Sequence, residues 1–405
     1  MQPRLRIAVA GAGVGGLAAG IALTLAGHRV QVFDRFDAPR PVGSGLVVQP
    51  VGQKVLDWLG AGERARALGT PIRVLHGIEA RTGIGTLSVR YDAAGAGLHG
   101  LGLHRAALFA ALHERLVALG VTVRTGAEVV GQSAGRLRMQ GGHQSEAFDL
   151  IVDALGAHSP LSPLLSRPLP YGALWTTLDW PETALPADRL SQRYVAARRM
   201  VGVLPLGHLP GEGRQKVAFF WSLRADCHAD WLTAGLTPWK SEALSIWPDL
   251  APFLAQVTDP AQMVLARYSH GTLRRPHAPG LVHIGDAAHR ASPQLGQGAN
   301  MALLDAAALA VALDMAPLDE ALPLHARLRR GHLLVYQTLS RFLTPQYQSD
   351  SALIAALRDR VIAPLGRLPL VARGMGTIAS GLIVPALGGV PDAPPPWAMD
   401  AAYGP

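Results

Sequence analysis

Gly11-Ala12-Gly13-Val14-Gly15-Gly16 has the spacing G-x-G-x-x-G, between a short apolar run, Arg6 to Ala10, and an alanine- and leucine-rich stretch, Gly15 to Ala26. Glycines so spaced let a strand turn sharply into a helix and let the backbone approach a phosphate. Gly11 permits the turn, Gly13 the approach, and Gly16, with Gly15 beside it, close packing of the helix. The helix start then offers unpaired N–H groups and the positive end of its dipole to a pyrophosphate. Arg29 to Asp34 reads as a second strand. At its end the Asp34 carboxylate is placed to accept hydrogen bonds from an adenosine ribose, and Arg35 follows it on the same rim. The result is a βαβ unit for a dinucleotide, and by itself it does not separate NAD from FAD.

The rest of the composition narrows the classes. A chain of 405 residues, 49% hydrophobic and 16% charged, builds a large core in two or three structural units. Its apolar stretches are broken by charge or proline, so no transmembrane helix is expected. The run from Met1 enters a strand directly, which predicts a cytoplasmic protein without a leader. Cys227 is the single cysteine, which excludes an internal disulfide and a redox-active Cys-x-x-Cys pair. The net charge of +8 comes from scattered residues, not from a basic strip with aromatic platforms, so nucleic acid is not an expected partner. No histidine pair has metal-ligand spacing and Ser162 lacks a G-x-S-x-G setting, so neither a metal centre nor a hydrolytic triad is expected.

Further along, Val121 to Arg124, Glu128 to Gln132, Arg136 to Met139 and Asp149 to Ala154 read as strands, and Leu108 to Gly120 as a helix. Six tryptophans fall between Pro170 and Pro279, where Tyr171 to Trp180, Tyr194 to Val203, Gln215 to Leu223 and Met263 to Tyr268 suit an antiparallel sheet. Alternation puts Phe219, Trp221 and Leu223 on one face, which reads as core first and as a pocket wall second. A strand, Leu281 to Ile284, precedes a glycine-rich loop and a helix from Gly298 to Asp314. Helices continue to about Arg373, and the tail from Pro391 reads as irregular.

The far end decides the cofactor. His283-Ile284-Gly285-Asp286-Ala287-Ala288-His289-Arg290-Ala291-Ser292-Pro293, followed by Leu295-Gly296-Gln297-Gly298-Ala299-Asn300-Met301 and on to Asp305-Ala306, resembles the para-hydroxybenzoate hydroxylase-like (class A) family of FAD-dependent monooxygenases. The resemblance covers the first 165 residues and 260 to 315 well, and the middle only in layout. It implies an α/β fold: a Rossmann-like FAD-binding domain (1–165 and 280–315) interleaved with an antiparallel-sheet substrate domain (166–279) and closed by C-terminal helices and a tail (316–405). It also implies that Gly285 and Asp286 meet the ribityl chain and that the backbone of Gly296, Gly298, Ala299 and Asn300 faces the flavin pyrimidine edge. Pro293 and Gly296 would then sit by the reactive flavin face. Arg105, in Leu103-His104-Arg105-Ala106-Ala107-Leu108, would reach the FAD phosphates or ribityl chain or else stay a solvated helix-start residue, and Arg40 is a weaker candidate for the same anion. His289 belongs, by the same resemblance, to the cofactor loop rather than to acid–base chemistry.

The activity so implied is hydroxylation or epoxidation of a hydrophobic, aromatic small molecule by O2 through a flavin C4a-hydroperoxide, with NADPH or NADH as reductant. The rivals are an FAD-dependent reductase of the geranylgeranyl reductase type and a non-catalytic flavoprotein. One segment departs from the family: where its sequences read Gly-Ala-Asp-Gly-x-x-Ser-x-x-Arg, this chain has Asp153-Ala154-Leu155-Gly156-Ala157-His158-Ser159-Pro160-Leu161-Ser162. The acid becomes Leu155 and the arginine Ser162, so either other residues receive the nicotinamide or a separate flavin reductase serves as partner. Finally, apolar runs from Val361 to Leu387 with Arg358, Arg360, Arg367 and Arg373 read either as helices packed on the FAD domain or as a weak contact with anionic membranes.

Overall fold

A computed structural model of the chain describes residues 3–38, 44–388 and 394–399. Its first layer is a six-stranded sheet in the order His277–Ala278, Leu281–His283, Leu150–Asp153, Arg6–Ala10, Arg29–Phe33, Val123–Arg124. All neighbours run parallel except the first pair. A parallel sheet is covered on both faces, which is why the central strand buries four of its five residues. On one side Ile7 and Val9 pack against the helices Val14–Leu25, Arg105–Ala118 and Gly298–Met315. On the other, Ala8, Ala10, Phe33 and Ile151 pack under the ribbon Val129–Ser133 with Arg136–Met139. The helix Gly298–Met315 has the length and hydropathy of a membrane span, but 78% of it is buried, as in the central helix of a core.

The second layer is an eight-stranded sheet: His289–Arg290, Val264–Thr272, Arg167–Asp179, Gln215–Arg224, Arg199–His208, Arg189–Val195, Val74–Glu79, Gly85–Arg90. The last two strands come from within the first 165 residues, and Val74–Glu79 pairs parallel with Arg189–Val195, the one parallel step in this sheet. A third, three-stranded piece, Gly45–Val48, Gly100–His104 and Thr70–Ile72, lies between the layers. Two sequence-based expectations are corrected. The run Tyr194 to Val203 is not one strand but two, reversing at residues 196 to 198, where Ala196 takes a positive φ of 50°; the turn holds no glycine, proline or asparagine to mark it. The tail is not wholly irregular, because Pro396–Met399 is helical and Trp397 and Ala398 are buried against the first core.

Phe219, Trp221 and Leu223 are core: they pack with Trp231 and Trp239 beneath the helices His228–Ala234 and Leu236–Ile246, with edge-to-face ring contacts of 5.9 to 6.1 Å. The opposite face of the sheet therefore looks toward the first layer. There a glycine is required at Gly45, since a Cβ would stand 2.3 Å from Leu206 and 2.8 Å from Ala218.

The long helix Leu318–Tyr347 packs on the helix Gly298–Met315 through Ala321, Leu322 and Leu328 and is tied to it by charge as well. Asp305 is buried and accepts hydrogen bonds from the Gly285 N–H (2.9 Å), His289 Nε2 (2.6 Å) and Arg329 Nε (2.8 Å). Burial alone would raise its pKa, but His289 and Arg329 outweigh that and hold the carboxyl well below the usual carboxylate range. Two further buried histidines line the same helix. Burial brings His325 down to about 4, Arg329 adding to the shift against the pull of Asp305, and burial followed by Arg329 brings His332 down to about 4. Both imidazoles are thus neutral in the folded chain. The unfolded chain protonates them near pH 6.5, so stability is full above that value and falls as pH drops toward 4, by at most about 3 kcal/mol for each histidine. Urea unfolding should give a clearly lower midpoint at pH 5 than at pH 7.5. His332→Gln, which keeps a donor for the Gly381 carbonyl, should flatten that dependence, and a wild-type midpoint that does not move with pH would contradict the assignment.

Candidate active site

Parallel pairing aligns the carboxyl ends of the central strands, so the chain segments that follow them share one edge of the sheet. Hydrogen bonds extend the ladder past the strand ends: Gly11 N–H to Phe33 O, Ala154 N–H to Ala10 O, and Ile284 N–H to Asp153 O. Gly11, Asp34, Ala154 and Gly285 are thereby brought together from four distant parts of the sequence. Gly11 has φ +103°, and a Cβ on Gly16 would lie 1.7 Å from the Gly11 carbonyl oxygen, so turn and helix can pack only as glycines. Gly13 differs: among the described residues nothing lies within 4 Å of where its Cβ would be, and no side chain caps the helix it starts. Its N–H groups face a cavity of about 700 Å³.

Gly13, Gly15, Asp34, Arg35, Arg105, Gly285, Asp286, Gly298 and Ala299 all line that cavity. Asp34 is fixed at its rim by the Ala12 N–H (2.6 Å) and the Phe36 N–H (3.3 Å), while Arg35 is exposed 4.0 Å from Glu128. Arg105 opens the helix Arg105–Ala118 and is exposed to the same space. On the far wall Asp286 is exposed in the turn Gly285–Ala287, next to the uncapped start of the helix Gly298–Met315. Gly11 and Gly16 shape the turn behind the lining. Arg40 lies outside the described residues. Pro293 is exposed at the head of the short turn Pro293–Leu295, which Gly296 ends at φ +60°. Asn300 is fully buried with its side chain spent internally, accepting from the Gln49 N–H (2.8 Å) and donating to Gly296 O (2.8 Å) and Val47 O (3.3 Å). Only its backbone is left for a ligand.

A dinucleotide with a long linker fits these residues. Two helix starts and an arginine converge on one cavity, a carboxylate stands at each end, and Gln294 Nε2 and Gln297 Oε1 on the intervening loop are buried with no hydrogen-bond partner among the described residues. FAD held there would have its pyrophosphate at Gly13 and its ribose and ribityl hydroxyls at Asp34 and Asp286.

Sequence reading missed the supports of this site. Asp305 stood in view inside an apolar helical run, and a carboxylate in such a run was the available signal. Gln49 and Tyr91 gave none: Gln49 accepts from the Tyr91 hydroxyl (2.7 Å), and its Nε2 points at Leu295 O (3.5 Å) under the Pro293 turn. The departing segment is rebuilt around Asp153. Its buried carboxylate accepts from Leu155 N–H (3.1 Å) and Ser159 Oγ (2.7 Å) and lies 2.7 Å from His283 Nδ1. Leu155 packs with Leu161 on the apolar cluster of the sheet, and Ser162 Oγ donates to Ala287 O at 2.5 Å.

Fold and cavity define a two-layer flavoprotein with the cofactor at the edge of a parallel sheet. A sequence model described as an FAD binding domain matches residues 4–323, and the chain belongs to that family of FAD-dependent oxidoreductases, the para-hydroxybenzoate hydroxylase-like monooxygenases that act on aromatic compounds. It is 29% identical to 2-heptyl-3-hydroxy-4(1H)-quinolone synthase of Mycobacteroides abscessus over 89% of this chain and 94% of that protein. It is 30% identical to 3-amino-4-hydroxybenzoate 2-monooxygenase of Streptomyces cremeus over 77% and 79% respectively. In fold it resembles Klebsiella pneumoniae HpxO complexed with FAD and uric acid, with a TM-score of 0.78 at 20% identity, covering 94% of this chain and 98% of that one.

Gly13→Val should fold, since open space surrounds the position, yet be purified without flavin. Asp286→Ala should weaken FAD binding by about 1–3 kcal/mol in isothermal titration of the apoprotein. Full flavin content in the first variant, or an unchanged dissociation constant in the second, would remove these residues from the site.

Proposed function

We propose that the enzyme hydroxylates an aromatic ring bearing an apolar chain, with NADPH or NADH as the direct reductant of its FAD. The observation that carries the substrate class is the inner face of the eight-stranded sheet. Register puts Trp175, Phe220 and Gly202 side by side on it, with Tyr194 and Met200 in the next rows. Trp175 lies 4.7 Å from Phe220, and Tyr194 lies 5.2 Å from Tyr347. Gly202 is needed there, because a Cβ would fall 2.0 Å from the Phe220 ring. Such a wall favours a flat apolar ring. Thr177, Gln192 and Ser222 share this face, and the Arg358 guanidinium stacks over Tyr194 and Tyr347. Trp175 Nε1 donates to the Tyr268 hydroxyl at 2.8 Å, and burial raises the pKa of that phenol, so it stays protonated and keeps its own proton to donate to a carbonyl or hydroxyl of the substrate. The apolar chain is supported by the name of the quinolone synthase relative, whose product carries a heptyl group.

FAD held there would supply the redox chemistry, in which two electrons from the nicotinamide reduce O2 so that one oxygen atom ends on the ring and the other leaves as water. The protein's part is to hold the substrate against the sheet and exclude water. With Leu155 in place of the acid and Ser162 in place of the arginine, residues outside this segment receive the nicotinamide. Anaerobic stopped-flow mixing with NADPH and with NADH should bleach the flavin at a rate fast enough for turnover. Product formed from a panel of alkyl-substituted quinolones and aromatic acids under 18-O2 should carry the label. Absence of bleaching would make a separate reductase the electron donor, and an unlabelled reduced product would place the enzyme with the reductases.

A further inference from the structure

The C-terminal helices bury small residues and expose large ones, the reverse of what a helix packed only on its own domain does. Pro369–Ser380 buries only Gly376, Ala379 and Ser380, Ala363–Leu365 buries nothing, and Ala352–Leu357 buries only Ala355. Turned outward within the same stretch are Leu353 (78% exposed), Leu357, Leu365, Leu368, Leu370 (82%) and Val371. Isolated exposed leucines need no explanation, but a series this dense within thirty residues marks a contact surface. The residues 358–380 rest on the strand Gly85–Arg90 and the turn after it, so their free sides share one flank of the molecule.

Charge identifies what covers that flank. Arg360, Arg367 and Arg373 are exposed among the apolar residues, while no Asp or Glu occurs from residue 360 to 391. The carboxylate just before, Asp359, is buried and paired with Arg358 at 2.8 Å. A second copy of the chain on this patch would add exposed arginines to exposed arginines, Asp92 on the turn beneath being already paired with Arg90. A surface that takes in leucines and attracts arginines at once is an anionic lipid membrane. We propose that residues 352–383 dock this enzyme reversibly onto anionic membranes.

Docking also bears on the site, and this part rests on the substrate class proposed above. The helix Pro369–Ser380 has Leu370 and Val371 on its free side. On its inner side Ala379 O accepts from Gln297 Nε2 at 3.2 Å, and Met375 and Ala379 pack with Val47 of the three-stranded piece and with Leu204 and Ala218 of the inner sheet face. One helix therefore separates the lipid surface from the side of the site where an apolar chain would enter.

The experiment is flotation of the FAD-loaded enzyme with phosphatidylcholine vesicles, with and without phosphatidylglycerol, at low and high salt. The enzyme should float with the anionic vesicles at low salt and be released by salt, since exposed charges are screened within a Debye length. Each arginine near an anionic surface contributes about fivefold to partitioning, so R360Q/R367Q/R373Q together should lower it about a hundredfold. Leu370→Glu should abolish it while retaining flavin. Failure of the wild type to float overturns the proposal, as does flotation unchanged in the variants. A dimer in sedimentation that Leu370→Glu dissolves, without flotation, would instead assign the patch to a second copy. None of these readouts uses turnover, so they stand apart from the choice of substrate.

Discussion

The carboxylate of Asp305 is the point through which the cofactor site is held together. A buried carboxylate costs several kcal/mol unless donors satisfy it, and here three do: the Gly285 N–H, the His289 ring and the Arg329 guanidinium. Each donor belongs to a different element. The first is the turn that presents Asp286, the second the edge strand of the large sheet, and the third the long C-terminal helix, where Arg329 also donates to Ala386 O at 2.7 Å. Because the carboxylate must be satisfied by all of them at once, the turn at Gly285 cannot slide along the helix Gly298–Met315. That helix packs on Val14–Leu25 closely enough that a Cβ on Gly15 would touch Ala302 at 3.3 Å. The two halves of the site, far apart in sequence, are thereby fixed across one cavity.

How much of this was legible follows from the range of each interaction. The turn at Gly11 to Gly16 carries a spacing visible in the sequence itself, although Gly11 and Gly15 also answer to Ala154 and Ala302 far along the chain, and its strand and helix are legible to within a residue. The strand Leu281–His283 and the helix after it were readable for the same reason, from an apolar run closed by glycine. Less visible were strands whose identity depends on a distant partner. Val74–Glu79 and Gly85–Arg90 form a local hairpin, but its place in the large sheet depends on the edge that Arg189–Val195 offers, which nothing near it in sequence announces. The reversal at Ala196 is fixed in part by Arg358, whose Nη2 donates to Ala196 O at 3.0 Å from more than 160 residues away. Trp397 reads as tail because its burial is against a helix near the other end of the chain.

The sheet also shows how one strand serves two purposes. In Gln215–Arg224 the odd-numbered residues Phe219, Trp221 and Leu223 build the tryptophan-rich core, and the even-numbered Ala218, Phe220 and Ser222 face the cofactor layer. Alternation was apparent in the sequence, but which face met helices and which met the site was decided only by the placement of the helices 228 to 254. Asp153 is a comparable case. The carboxylate that the family places two residues later is here used to tie down the turn itself, through Ser159 and Leu155, and the acid's usual position has become apolar packing.

The most direct test of this account is the FAD dissociation constant of the double variant Asp305→Asn/Arg329→Met, measured by flavin fluorescence on apoprotein whose circular dichroism shows it folded. Both charges are removed together so that neither is left buried alone. If Asp305 holds the two halves of the site in register, the dissociation constant should rise at least about tenfold, equivalent to about 1.4 kcal/mol, although neither residue is part of the cavity wall. FAD binding as tight as in the wild type would show that the halves meet without it.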